Sequence, residues 1–213
     1  MSEYRGKRLF DLVLVVASAP VWTLVLAAVA LRVRRHIGSP VFFRQRRAGL
    51  DGELFEMIKF RSMTDARDAS GALLPDADRL LPFGRWLRST SLDELPELWN
   101  VLKGEMTLVG PRPLLPQYGP RYSAEHRRRL ATRPGLTGLA QVSGRNAIGW
   151  SAKFDLDVRY VDRCSLALDM EILWRTITAI VRRDGISASG DATMPEFTGY
   201  DAPVAPSSPQ SAQ

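Results

Sequence analysis

The sequence predicts a mainly helical α+β fold, with a helix–break–helix at its N-terminus and one β-hairpin after it. Three observations predict it. Leu12 to Leu31 is a run of 20 residues without a charge, and Pro20 interrupts it. Two short apolar-rich segments flank Gly49-Leu50-Asp51-Gly52. Beyond residue 90, apolar residues recur at helical spacing. A chain of 213 residues is long enough to bury a core in one or two domains. Its 45% hydrophobic and 24% charged residues exclude general disorder and fibrous classes. One cysteine, Cys164, excludes an internal disulfide framework, and with two histidines it leaves no set for a structural Cys/His zinc site. The net charge of +6, carried almost wholly by arginine, suits an anionic partner: nucleic acid, a phosphorylated substrate or acidic lipid.

The first element is the apolar run. Eleven of its residues are Leu or Val, which favours membrane insertion by roughly 3–7 kcal/mol. As one straight helix it would be about 30 Å long, one hydrocarbon thickness. A spanning helix and a cleaved signal peptide ending near Ala28-Val29-Ala30 are the two plain readings. Its flanks favour a third. Arg5, Lys7 and Arg8 precede the run, and Arg32, Arg34 and Arg35 follow it. Equal basic clusters place both ends on one side of a membrane. Ser18-Ala19-Pro20 lies near the middle, where proline removes a backbone donor and kinks the helix. The expectation is a re-entrant membrane helix–break–helix over residues 1–36, with Ser18 and Pro20 at the break. A second domain then covers residues 37–200, and a Pro/Ser/Gln/Ala tail over 201–213 is expected to be disordered.

In the second domain, Val41 to Arg46 and Glu53 to Phe60 read as a hairpin with a longer loop. Thr64 to Pro82 reads as a loop with a short helix. Ser91 to Lys103 reads as a helix, with Leu92, Leu95, Leu98, Trp99 and Leu102 along it. Gly110-Pro111-Arg112-Pro113 is a rigid turn. Ser123 caps a short basic helix, and Arg133 to Arg145 is Gly-rich and irregular. Asp169 to Arg183 reads as an amphipathic helix with Met170, Leu173, Ile177 and Ile180 on its apolar face. Its basic end suits an anionic membrane surface, though a core helix fits the same pattern.

The chemistry-bearing residues cluster in two motifs. Ser91-Leu92-Asp93-Glu94 is a capping-box pattern, which makes Glu94 a cap partner. The same place in a first helical turn favours ionised carboxylates. Asp93 is then a ready nucleophile and Glu94 a ligand for a hard cation such as Mg²⁺. Arg112, fixed between two prolines, suits a pair of phosphate oxygens. Lys59, Arg88 and Arg145 are further bases able to hold a diphosphate beside those acids. Asp155, Asp157 and Asp169 are weaker candidates, Asp169 as a helix cap, and Cys164 reads as a packed thiol. No Walker, Rossmann or nucleophile-elbow motif is present.

The order of motifs carries a resemblance. Lys7-Arg8-Leu9-Phe10-Asp11, the apolar run with its proline and Val41-Phe42-Phe43-Arg44-Gln45-Arg46-Arg47-Ala48-Gly49 fit one family. Lys59-Phe60-Arg61-Ser62-Met63, Ser91 through Asn100, Gly104-Glu105-Met106 and Gly110-Pro111-Arg112-Pro113 fit it too. The chain resembles the bacterial sugar transferases, the monotopic phosphoglycosyl transferases, from about Lys7 to Phe197. The tail from Gly185 to Phe197 is similar to the small, single-domain members, without the extra N-terminal bundle of the larger ones. The resemblance implies transfer of a sugar phosphate from a UDP-sugar to a polyprenol phosphate, with UMP released. It also implies Mg²⁺ dependence and a catalytic domain at the cytoplasmic face of the bacterial inner membrane, with amphipathic helices at the lipid interface. By it, Asp93 is the nucleophile and Glu94 holds Mg²⁺. Arg112, Lys59, Arg88 and Arg145 bind phosphate, and Glu105 and Asp169 sit in a supporting shell. The competing reading is a membrane-anchored, Arg-rich protein that binds nucleic acid or acidic lipid through Arg127-Arg128-Arg129. Few aromatics accompany that run, as single-strand binding would require, so nucleic acid is not the expected partner. Sugar identity, acceptor length and oligomeric state are not readable from the chain.

Overall fold

The computed structural model describes residues 3–144, 148–182 and 196–200. Helix α1 (Lys7–Ala17) and helix α2 (Ala19–His36) are bent by 63° at Ser18. Pro20 sits in the first turn of α2, where its missing N–H costs little. Two side chains add hydrogen bonds to carbonyls beside the bend. Ser18 Oγ donates to Leu14 O at 2.6 Å, and Trp22 Nε1 donates to Val15 O at 2.9 Å. The limbs have 11 and 18 residues, so they are less equal than the sequence suggests. Among the described residues no single helix is long and apolar enough to cross a membrane; the bent pair reaches that length and composition only when its two limbs are counted together. Much of its apolar surface is exposed, Leu24 and Val21 most of all.

The hairpin forms where expected. Strand β1 (Phe42–Ala48) pairs antiparallel with strand β2 (Leu54–Phe60), with Phe43 opposite Lys59. A 3₁₀ turn, Leu50–Gly52, closes it, with Asp51 and Gly52 at positive φ. Side chains alternate across a strand, so Phe55 and Met57 face the main core and Lys59 follows them on the same side. A short helix α3 (Asp76–Arg79) lies in the following loop, as expected, and α4 (Pro82–Ser89) comes next.

The helix expected over Ser91–Lys103 is shorter. Leu92–Glu94 is a 3₁₀ turn, and helix α5 runs only from Glu97 to Lys103. Ser91 has φ 55° and accepts no capping hydrogen bond, so the capping box does not form. Leu95 and Pro96 keep helical φ and ψ, but Pro96 has no N–H to bond back one turn, so α5 starts only after it.

Between Arg133 and Arg145 there is more order than the glycines indicate. Strand β3 (Thr107–Val109) pairs in parallel with strand β4 (Gly135–Thr137). Helix α6 (Ala124–Arg127) precedes β4 and is capped by Ser123, whose Oγ accepts from His126 N at 3.1 Å. Helix α7 (Leu139–Val142) follows β4. The backbones around this ladder touch: a Cβ on Gly135 would lie 2.1 Å from Gly110 N. Helix α8 (Trp150–Arg163) is not among the expected elements, although Trp150, Phe154, Val158 and Val161 fall at helical spacing along it. Helix α9 (Leu166–Arg182) begins three residues before the expected start, and Ser165 Oγ, not Asp169, accepts from its first turn at Leu168 N.

Three apolar clusters hold the fold. The main one joins Val15 of α1, Phe55 and Met57 of β2, Val101 of α5, Val109 of β3, Tyr160 of α8 and Ile172 of α9. The second is aromatic, with Tyr118, Tyr122, Phe154 and Phe197. The third packs Val29 and Val33 of α2 against Phe60 and Leu87. Helix α1 is also tied by polar groups. Lys7 Nζ lies 2.6 Å from Asp169 Oδ2, with both side chains buried, and Asp11 accepts from Thr107 Oγ1 at 2.5 Å.

Candidate active site

Four elements converge on Glu94. The 3₁₀ turn after Ser91 presents it, β2 supplies Lys59, the Gly110-Pro111 turn after β3 supplies Arg112, and α5 supplies Glu97. Glu94 Oε1 accepts from Lys59 Nζ at 2.7 Å and from Arg112 Nη2 at 2.6 Å. Lys59 Nζ lies 3.1 Å from Glu97 Oε1 as well. Burial by itself would raise the Glu94 pKa, but Arg112 and Lys59 outweigh it and hold the group well below the usual carboxylate range. Glu94 in turn holds the Arg112 guanidinium charged.

Asp93 behaves differently from its neighbour. Burial and the adjacent Glu94 charge push its pKa up to about 6, against the pull of Lys59, Arg112 and Arg88. The expectation that a helix dipole keeps Asp93 readily ionised is corrected here, because its turn does not open an α-helix. Among the described residues nothing donates a hydrogen bond to its carboxylate. Glu97, which sequence reasoning did not single out, is buried, and its pKa is pushed up to about 7 by desolvation and by Glu94. Its only signal in the sequence is its place three residues after Glu94.

Arg88 lies nearby, with Nε donating to Ser62 Oγ at 2.9 Å. Arg145 lies outside the described residues. Glu105 stands one step removed. Its Oε2 accepts from Asn100 Nδ2 at 2.7 Å, and the same amide donates to Glu56 O and accepts from Ile58 N. It thus steadies the strand that carries Lys59. Asp169 is not part of this cluster; it binds Lys7, Tyr4 and Tyr160 where α1 meets α8 and α9. Its three partners, one basic and two phenolic, make it structural.

Two further residues position Arg112. Arg129 Nη2 donates to the Arg112 carbonyl at 2.7 Å and pairs with Asp157 Oδ2 at 2.8 Å, with both side chains buried. Arg128 meanwhile pairs with Glu125 and Asp162. Arg127 Nη2 donates to Gly119 O at 3.2 Å, so all three members of the Arg127-Arg128-Arg129 run are engaged within the fold, which weighs against the run as a free binding surface.

A cavity of about 620 Å³ adjoins the cluster. Arg88, Glu94 and Arg112 lie in its wall with Arg129, Lys153 and Asp157; Asp93 and Lys59 do not. Leu92, Leu95, Leu108, Leu136, Val142, Trp150, Phe154, Leu173 and Ile180 give the rest a mostly apolar lining.

The family model for bacterial sugar transferases matches residues 2–183. The chain belongs to the bacterial sugar transferase family. This sugar transferase is 49% identical over 193 residues to "Uncharacterized sugar transferase EpsL" of Bacillus subtilis, covering 91% of this chain and 96% of that protein. It is 38% identical over 191 residues to the UDP-glucose:undecaprenyl-phosphate glucose-1-phosphate transferase of Caulobacter vibrioides, covering 84% of this chain and 70% of the relative. It is 39% identical over 199 residues to the UDP-galactose-lipid carrier transferase of Erwinia amylovora. There the match covers 84% of this chain but only 41% of the longer relative.

Proposed function

We propose that this sugar transferase moves a sugar-1-phosphate from a UDP-sugar to a polyprenol phosphate, giving a polyprenyl diphosphate-sugar and UMP. The observation that carries the reading is the pairing of two unlike carboxylates beside a basic, apolar-walled cavity. Glu94 is fixed as an anion between Lys59 and Arg112, while Asp93 stays free of hydrogen bonds and keeps a raised basicity. The names of the Caulobacter and Erwinia relatives point to the same substrate classes.

In this reading Asp93 Oδ attacks the phosphorus that bears the sugar. The bond from that phosphorus to the UMP oxygen breaks, and UMP leaves with the electron pair. A polyprenol phosphate oxygen then attacks the phospho-sugar aspartate, and the acyl-phosphate bond breaks to restore the carboxylate. Two steps avoid bringing two anionic phosphates together at once. Arg112, with Arg88 and Lys59 beside it, neutralises the phosphoryl oxygens, Arg112 through its planar fork. Arg145 is proposed to help from the Gly-rich loop.

Glu94 and Asp93 are the residues that would hold Mg²⁺. When bound, the ion adds positive charge against the diphosphate. The donor set fits: Asp93 accepts no hydrogen bond among the described residues, and Glu94 takes Lys59 and Arg112 on Oε1, which leaves carboxylate oxygens on both for the ion. Magnesium commonly takes one or two carboxylates and completes its shell with substrate phosphates and water.

The bent α1–α2 pair is proposed as a re-entrant anchor, entering and leaving from the cytoplasmic side of the inner membrane. The side-chain hydrogen bonds to the Leu14 and Val15 carbonyls suit a break placed in lipid. The exposed apolar face of α9, with Met170, Trp174 and Ile177, is proposed to lie at the interface. The direct test is a panel of UDP-sugars with undecaprenyl phosphate and Mg²⁺, reading UMP. Release with one donor, lost without the acceptor on multiple turnover, is expected. No release with any donor would remove the assignment.

A further inference from the structure

We propose that the α9 side of the cavity is the channel for the first isoprene units of the acceptor, a deepening that rests on the function proposed above. The cavity is one space with two chemistries. Its basic end holds Arg88 and Arg112. Leu136, Val142, Leu173 and Ile180 line the cavity where β4, α7 and α9 meet, here called its apolar arm. An amphiphile with a phosphate head and a branched hydrocarbon tail matches both ends at once. A nucleotide sugar, polar along its whole length, gains nothing from an aliphatic arm.

The two threonines in that arm are engaged with the protein itself. Thr137 Oγ1 and Thr176 Oγ1 bond each other at 2.7 Å, and Thr176 also donates to Ile172 O at 2.8 Å. The Gln141 amide atoms are buried from solvent and have no hydrogen-bond partner. The Gln141 amide is thus the polar group of that arm still open to a ligand, and the wall around it is aliphatic. Helix α9 also links the arm to the outside. Leu173 and Ile180 face the cavity, while Met170, Trp174 and Ile177 are 52%, 68% and 56% exposed on the same helix. Helical spacing puts these two sets on adjoining stripes. A chain too long for the cavity thus leaves it along one helix, over a surface already apolar. The phosphate head is then delivered to Arg112, at the same end as Glu94.

Two experiments test this. The first uses the full chain in lipid nanodiscs with a polyprenyl phosphate analogue bearing a diazirine in its first isoprene. Crosslinks are expected in peptides covering residues 136–142 or 166–180 and should survive excess UDP-sugar. Crosslinks confined to α1 and α2, or loss of labelling with UDP-sugar, would overturn the channel. The second fills the arm with Leu173→Trp and Val142→Phe. The kcat/KM for polyprenol phosphate is expected to fall at least tenfold, and that for the UDP-sugar to stay within twofold. In a two-step transfer the donor constant reports only the first half-reaction. An unchanged acceptor constant in both variants would contradict the channel. Absence of UMP release by the unmodified protein is a different outcome: it removes the proposed function, whatever the crosslinks show.

Discussion

Glu94 Oε1 takes two cations at once, Lys59 at 2.7 Å and Arg112 at 2.6 Å, and most of the site's electrostatics follow from that. Arg112→Lys keeps the charge but loses the fork that can hold Glu94 and a phosphate together. A hydrogen bond to a charged group is worth about 1.5–3 kcal/mol, so kcat/KM should fall about 10–100-fold. Near-normal turnover would make Arg112 a bystander. Glu97 gives a second test, on stability. Its pKa is pushed up to about 7 in the folded protein, so the folded state holds a proton that the unfolded chain releases near 4.5. The stability this confers is present at low pH and is lost as pH rises from the unfolded value through about 7. Glu97→Gln mimics the neutral form. It should raise the melting temperature at pH 8 by about 2–4 °C per kcal/mol relieved, and change little at pH 5. Melts without divalent cations check this; an equal shift at both pH values would mean the charged form is not disfavoured.

At the scale of elements, the hairpin was readable because glycine and aspartate mark its turn and both strands are seven residues long. The bent N-terminal pair was readable from charge and proline. Strands β3 and β4 were not, because three residues cannot show a period and their partners lie far apart in the chain. Ser91 hid the other difference. Its positive φ turns the chain so that Asp93 and Glu94 lead a 3₁₀ turn, and no pattern of residue types announces that. The site was half legible for the same reason. Asp93, Glu94, Lys59, Arg88 and Arg112 gather as expected, whereas Asp169 belongs to the α1 tie. The pair Arg129–Asp157 is visible only once the 3₁₀ turn after α6 packs on α8. The β3–β4 ladder also makes a prediction. In Gly135→Ala the new Cβ would meet the Gly110 backbone at 2.1 Å. Overpacking of this kind costs about 1–3 kcal/mol. The variant should melt several degrees lower and lose activity through displacement of the turn that carries Arg112. A melt and turnover like those of the parent would show that the ladder yields freely.

The whole molecule joins an apolar bent helix pair to a polar site through buried ties at Lys7–Asp169 and Asp11–Thr107. The same-side reading of the pair is testable directly. With Cys164→Ser as background, single cysteines at Ser2 and Ser39 should both resist an impermeant thiol reagent in intact spheroplasts and both react after lysis. Labelling of only one before lysis would establish a spanning helix. The central claim remains the chemistry at Asp93. Incubation with radiolabelled UDP-sugar and Mg²⁺, without polyprenol phosphate, should leave a phospho-sugar on the protein and release up to one equivalent of UMP. Asp93→Asn should abolish the adduct, because an amide is a poor nucleophile. The account predicts that chasing the isolated adduct with polyprenol phosphate gives product. Absence of any adduct in the unmodified protein, with intersecting rather than parallel initial-rate lines, would contradict it.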